Sequence, residues 1–265
     1  MSADAAGGVT WLFVPGDRQE RFSKAFESGA DQVIIDLEDA VASDAKDDAR
    51  GAVVAYLSGG GSAWVRINAA GTPRGASDVE GLGGVPGLRG VMVPKAEDPA
   101  ELQAVANRLS VPVIALVETA RGLHDASLVA SAPGVARLAF GSVDFALDVA
   151  ALETPQSLLY ARSQLVIVSR IHGLSAPIDG VTRDVADLSA VSADAQHGRN
   201  LGFGAKLCIH PAQVPVVRDT YRPSAAELAW ARRVLDAGVG GAARLDGQML
   251  DEPVRERARR LLEGS

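Results

Sequence analysis

The sequence predicts an α/β fold, a (β/α)8 TIM barrel with a C-terminal helical arm. Eight short, β-branched apolar runs alternate with longer amphipathic stretches, which is the pattern of parallel strands buried on both faces and joined by helices. A chain of 265 residues, 47% of them hydrophobic, is long enough for one barrel of this type. Nearly every apolar run ends in polar or ionisable residues, the asymmetry expected where strand ends carry a site. A doubly wound open sheet is the alternative, but no Gly-x-Gly-x-x-Gly turn follows the first strand.

The predicted strands are Trp11–Val14, Gln32–Leu37, Ala63–Ile67, Gly90–Pro94, Val113–Val117, Val135–Phe140, Ala176–Gly180 and Ala205–Ile209. Helical periodicity fills Asp44–Leu57, Pro99–Leu109, Gln156–Ile171 and Val185–Leu201. The glycine runs Gly59–Gly61 and Gly81–Gly87 read as loops. After the barrel, taken as residues 1–222, the rhythm breaks. Pro223 and Ser224 precede a helix over Ala225–Ala237, with Ser224 as its N-cap. A glycine-rich stretch, Gly238 to Gly241, and "DGQMLDEP", Asp246 to Pro253, lead to a charged last helix. Residues 223–265 thus read as an arm or lid that packs on a neighbouring subunit.

A net charge of −7 and a pI of about 5.2 leave no basic stripe for nucleic acid. No run of about 18 apolar residues predicts a membrane span. Met1–Gly8 lacks the charged and apolar regions of a signal peptide, so a cytoplasmic protein is expected. The single cysteine, Cys208, rules out a disulfide framework and reads as a core residue.

Chemistry is expected at the strand ends. Arg66 closes an apolar strand in "AWVRIN". Pointing into the barrel mouth it needs a counter-charge, and Glu38 and Asp39 on the neighbouring strand are the expected partners. Its fork also suits a substrate carboxylate or an enolate oxygen; the plainer reading is a structural ion pair. Glu118 follows "VPVIALV" and Asp144 follows "LAFGSV". Two carboxylates on adjacent strand ends, completed by water and substrate oxygens, suit Mg2+; singly, each could cap a helix. "PGDRQERFSKA" opens a helix with Arg18, Arg21 and Lys24 close together, which suits phosphate, although a basic first turn is often only solvated. His210, before Pro211, reads as a loop-shaping residue or an acid–base group. Lys95 and Lys206 are the candidates for Schiff-base chemistry, a minor alternative.

The motifs "FVPGDR", "DLEDAV", "VRIN", "VPKAE", "ALVETARG", "GSVDFALD", "CIHPAQ" and "GQMLDEPV" occur in this order. From Trp11 to about Leu262 the chain resembles the citrate lyase β-like branch of the HpcH/HpaI aldolase and citrate lyase superfamily. The resemblance implies a Mg2+-dependent (β/α)8 barrel, trimeric or hexameric. It also implies an enzyme that breaks or forms a carbon–carbon bond between a CoA thioester and a 2-oxo acid or related carbonyl, as citryl-, malyl- and citramalyl-CoA lyases do. By the same resemblance Glu118 and Asp144 bind the metal, and Glu118 also helps hold substrate. Arg66 binds the substrate carboxylate or enolate oxygen, and Glu38 and Asp39 hold Arg66 and metal-bound water. Arg18 and Lys24 meet CoA phosphates. Asp251, on an arm that crosses to the next subunit, exchanges a proton with the CoA-ester carbon. Asp36 receives no role.

The sequence departs from the family pattern at Gly141-Ser142-Val143-Asp144, where many members carry a glutamate before the metal aspartate. The chain is also shorter than typical lyase-complex subunits, which favours a stand-alone enzyme. Two alternatives accompany this expectation. One is an aldolase acting on free hydroxy-oxo acids, disfavoured because no histidine follows the second strand. The other is a non-catalytic subunit of a larger complex.

Overall fold

The structure, a computed structural model, describes residues 6–237, 244–245 and 248–263. It divides into two compact units, Met1–Arg218 and Asp219–Ser265.

The first unit is a closed barrel of eight parallel strands, each paired with its sequence neighbours and β1 with β8. The strands are β1 (Thr10–Pro15), β2 (Gln32–Asp36), β3 (Ala63–Arg66), β4 (Leu88–Val93), β5 (Val113–Val117), β6 (Val135–Phe140), β7 (Ile178–Asp179) and β8 (Ala205–Cys208). Between them run α1 (Phe22–Glu27), α2 (Lys46–Ser58), α3 (Pro73–Leu82), α4 (Pro99–Leu109), α5 (Ala120–His124), α6 (Ala126–Ser131), α7 (Ser142–Asp148), α8 (Leu159–Ile171) and α9 (Leu188–Leu201), and α10 (Gln213–Tyr221) follows β8. The expected (β/α)8 barrel is therefore the fold.

Inward residues alternate along each strand, as the two-residue period requires. Trp11, Ile34, Trp64, Met92, Ile114, Leu116, Ala139, Ile178, Ala205 and Leu207 fill the interior together. Trp11 and Trp64 meet edge to face, with centroids 5.2 Å apart. The Trp64 ring needs Gly90 opposite, because a Cβ there would come within 2.2 Å of it.

Element ends differ from the sequence reading where local chemistry decides them. β7 shrinks from five expected residues to two; Pro177 has no N–H to give a ladder. The helices expected from Gln156 and Val185 begin later, at Leu159 and Leu188. The latter start is set by Asp187, whose side chain accepts from the Ser189 and Ala190 N–H groups. Gly81 and Leu82, expected in a loop, complete α3.

The second unit contains α11 (Ala225–Asp236), a two-stranded antiparallel ladder of β9 (Arg244–Leu245) and β10 (Gln248–Met249), and α12 (Glu252–Glu263). Ser224 caps α11 in a reciprocal capping box with Glu227. Ala231, Val234, Leu250 and Ala258 form its buried core. The stretch Gly238 to Gly241, and Asp246 and Gly247 of "DGQMLDEP", lie outside the described residues.

Candidate active site

The C-terminal ends of the strands gather the polar residues. In β2 the inward series runs Gln32, Ile34, Asp36; in β3 it runs Trp64, Arg66. Asp36 and Arg66 are register partners on neighbouring strands. Their side chains form a two-point ion pair, Nε to Oδ1 at 2.7 Å and Nη2 to Oδ2 at 2.6 Å. The guanidinium also has Glu38 Oε2 at 3.0 Å and Asp39 Oδ2 at 3.6 Å from Nη1, and the Phe13 ring 4.8 Å away. Glu38 and Asp39 are therefore secondary partners of Arg66, and the forked contact belongs to Asp36. The strand period carried the signal for this: Asp36 shares parity with core residue Ile34, as Arg66 does with Trp64. Burial works against the charge on Arg66, but Asp36, Glu38 and Asp39 outweigh it and keep the group charged.

The loop after β2 is tied down. Lys46 is buried and donates to the carbonyls of Leu37 and Glu38 at 2.8 and 2.6 Å. Asn68 donates to the Leu37 carbonyl and to Asp78.

Glu118, at the end of β5, is 1% exposed. Its Oε1 accepts the Lys95 backbone N–H at 2.9 Å. Burial pushes its carboxyl up to about 8; the negative charges of Glu38 and Asp144 add to this, against the Lys95 N–H and ammonium. Asp144 lies in the first turn of α7. Gly141 makes room for the Glu118 carboxylate, since a Cβ there would stand 2.5 Å from Glu118 Oε2. The neighbouring Ser142 donates to Glu153 at 2.9 Å.

The Lys95 Nζ bonds Glu38 Oε1 at 3.0 Å and has Glu118 Oε1 at 3.9 Å. Partial burial opposes its charge, but Glu38, then Glu118 and Asp39, hold the ammonium above its ordinary range. A Schiff-base lysine needs the opposite shift. The amine of Lys206 is buried and donates to the Gly180 carbonyl at 2.6 Å. Glu38 is raised by burial, opposed by Arg66 and assisted by Asp39. Its Oε2 is buried and, among the described residues, has no hydrogen-bond donor of acceptable geometry.

Three carboxylates thus share a buried corner that resists their full ionisation, and one oxygen lacks a hydrogen bond. A hard cation beside Glu118 and Asp144 relieves both conditions. Among the described residues no three His, Cys, Asp or Glu side chains form a cage for a metal. A site with two protein carboxylates leaves its other positions to water and substrate.

Beside this corner a cavity of about 350 Å³ lies between the ends of β1 and β8, lined by Phe13, Arg21, Lys24 and His210 among others. Lys24 and Arg21 face it; Arg18 is exposed and outside the lining. His210 Nδ1 accepts the Ala212 N–H, which fixes the loop. Cys208 is fully buried, and burial pushes its thiol up to about 12, out of reach of thiolate chemistry.

Asp251 lies in the second unit and is exposed. Its side chain accepts the Val254 N–H and so caps the start of α12. Among the described residues no helix is long and apolar enough to cross a membrane.

Comparison with known proteins agrees with this architecture. Residues 10–211 match the family model of the HpcH/HpaI aldolase/citrate lyase family. A "citrate lyase subunit beta-like protein" of Mycobacterium tuberculosis is 40% identical over 266 residues, covering 97% of this chain and 95% of that one. A "(3S)-malyl-CoA thioesterase" of Cereibacter sphaeroides is 33% identical, over 85% of this chain and 81% of its own. The crystal structure of protein CitE from M. tuberculosis in complex with magnesium, acetoacetate and coenzyme A superposes with a TM-score of 0.88 at 39% identity, covering 98% of both chains. A family match across the whole barrel, and a relative of this similarity over nearly its full length, mean that the chain belongs to the HpcH/HpaI aldolase/citrate lyase family.

Proposed function

We propose that the protein is a Mg2+-dependent carbon–carbon lyase. It splits a β-hydroxyacyl-CoA thioester into a shorter CoA thioester and a 2-oxo acid or related carbonyl, or joins them in reverse. The observation that carries this reading is a fixed, charged Arg66 beside a buried carboxylate corner, Glu38, Glu118 and Asp144, that calls for a divalent cation. The magnesium and coenzyme A held by the similar crystal structure support the choice of cation and thioester.

Glu118 and Asp144 would hold the Mg2+, which supplies Lewis acidity and a template for the 2-oxo acid oxygens. Glu38, with a raised carboxyl and an Oε2 that lacks a hydrogen bond, takes the substrate hydroxyl proton. The carbon–carbon bond then breaks, and its electron pair moves onto the thioester as an enolate. Arg66 stabilises the developing oxyanion. Asp251, from a neighbouring copy in a homo-oligomer, returns a proton to the thioester α-carbon. Lys24 and Arg21, at the rim of a cavity with an apolar floor, suit the phosphates and pantetheine arm of CoA. The raised ammonium of Lys95 supports this metal-assisted route over a Schiff base.

The test is a panel of malyl-CoA, citramalyl-CoA, 3-hydroxy-3-methylglutaryl-CoA and citryl-CoA, each with Mg2+ and with EDTA. Magnesium-dependent release of acetyl- or propionyl-CoA supports the lyase. Release of free CoA with an intact hydroxy acid would instead mean hydrolysis, the activity named for the C. sphaeroides relative. Activity that survives EDTA rejects the metal.

A further inference from the structure

We infer that Asp36 is a positioning residue that locks Arg66 and the Glu38 turn into one unit; this rests on the proposed role of Arg66. The Asp36 carboxylate is 1% exposed and has no room for bulk water. Oδ1 accepts Arg66 Nε at 2.7 Å and the Glu38 N–H at 2.9 Å. Oδ2 accepts Arg66 Nη2 at 2.6 Å and the Ala40 N–H at 3.1 Å. Each oxygen thus takes one bond from the guanidinium and one from the backbone of the acidic turn, which fills its ordinary acceptor capacity.

The consequence is geometric. The guanidinium plane follows the Asp36 fork, and the Phe13 ring lies against it. The same carboxylate bends the chain over Glu38–Ala40, and that bend brings Glu38 Oε2 to Arg66 Nη1 and Glu38 Oε1 to the Lys95 ammonium. The cation that meets the oxyanion and the carboxylate that takes the proton are therefore aimed by one side chain that touches neither substrate nor metal. An amide cannot do this. Whichever way the side chain introduced by Asp36→Asn is turned, its NH2 group faces two donors.

The experiment uses the full chain. In Asp36→Asn the Arg66 Nε–H, followed by 15N NMR, loses its protection from solvent exchange, and kcat falls about 10²-fold, the scale of an ångström-sized misplacement, with a smaller change in KM. Glu38→Gln keeps the protected Nε–H, and Asp36→Glu, which keeps charge and fork, recovers part of both readouts. An Arg66 signal unchanged in Asp36→Asn overturns the inference whatever the activity. An inactive wild type that still shows this NMR contrast would refute the lyase while supporting the clamp. If Asp36→Asn does not fold, Arg66→Ala decides the matter by binding of free guanidinium, followed by NMR. A saturable site in Arg66→Ala that weakens when Asp36→Glu is added supports the clamp, and no saturable site overturns it.

Discussion

Replacing Gly141 with alanine is the sharpest test of the carboxylate corner. The residue has φ −88°, a conformation that alanine adopts freely, so the backbone itself is not strained. The added Cβ would stand 2.5 Å from both the Cβ and Oε2 of Glu118 and 3.3 Å from its Cδ. Ordinary contact needs about 1 Å more, and Glu118 is held by the Lys95 N–H and enclosed on the other sides, so the carboxylate must move by a distance of that order. Overpacking of this kind costs about 1–3 kcal/mol of stability, which a folded barrel tolerates. The larger effect falls on the cation. Shifting one of two protein ligands by this distance should weaken Mg2+ binding about 10- to 100-fold, and kcat/KM should fall about 10²-fold at fixed metal. Titration calorimetry with Mg2+ and Mn2+ measures the first, and turnover against metal concentration measures the second. Gly141→Ala that folds normally and binds Mg2+ within about twofold of wild type would refute the assignment of Glu118 as a ligand.

The remaining predictions concern charge and proton traffic. Glu118 titrates at about 8 in the metal-free fold, against about 4.3 in an unfolded chain. The folded form therefore binds the extra proton across that window, and metal-free stability falls as pH rises through it, by up to about 1.4 kcal/mol per unit; urea unfolding at pH 5 to 8 in EDTA reads this. For the same reason Mg2+ binding releases a proton at neutral pH and tightens until about pH 8, which calorimetry in buffers of different ionisation enthalpy detects. Arg66→Lys keeps a charge but loses the fork to Asp36, and steady-state kinetics should show kcat/KM lowered about 10²-fold. Asp251→Asn keeps a good helix cap, so helicity by circular dichroism and Mg2+ affinity should remain while turnover is abolished; a normal rate would mean that Asp251 only caps α12.

Much of this was legible in the sequence because barrel strands announce themselves twice, by their apolar runs and by the polar residues at the ends of those runs. Arg66, Glu118 and Asp144 each stand out as an ionisable residue after a run that has no packing reason to hold one. Local ends were less legible. The start of α9 depends on Asp187, one of several possible caps, and the brevity of β7 depends on Pro177. Asp36 is the instructive case. It lies inside the apolar run, so a scan for polar residues after strands passes over it in favour of Glu38 and Asp39. Parity alone would have distinguished them. Residues 34 and 36 face one way, as do 64 and 66, and parallel neighbours with inward parity meet at the same height. A carboxylate that shares an inward face with a core isoleucine cannot stay unpaired, because an isolated buried charge costs several kcal/mol or more. The inward arginine beside it is then its necessary partner. The residue beyond the strand is left with a different task, and the Glu38 oxygen that lacks a hydrogen bond shows what that task requires: a proton or a cation that the folded chain does not itself provide.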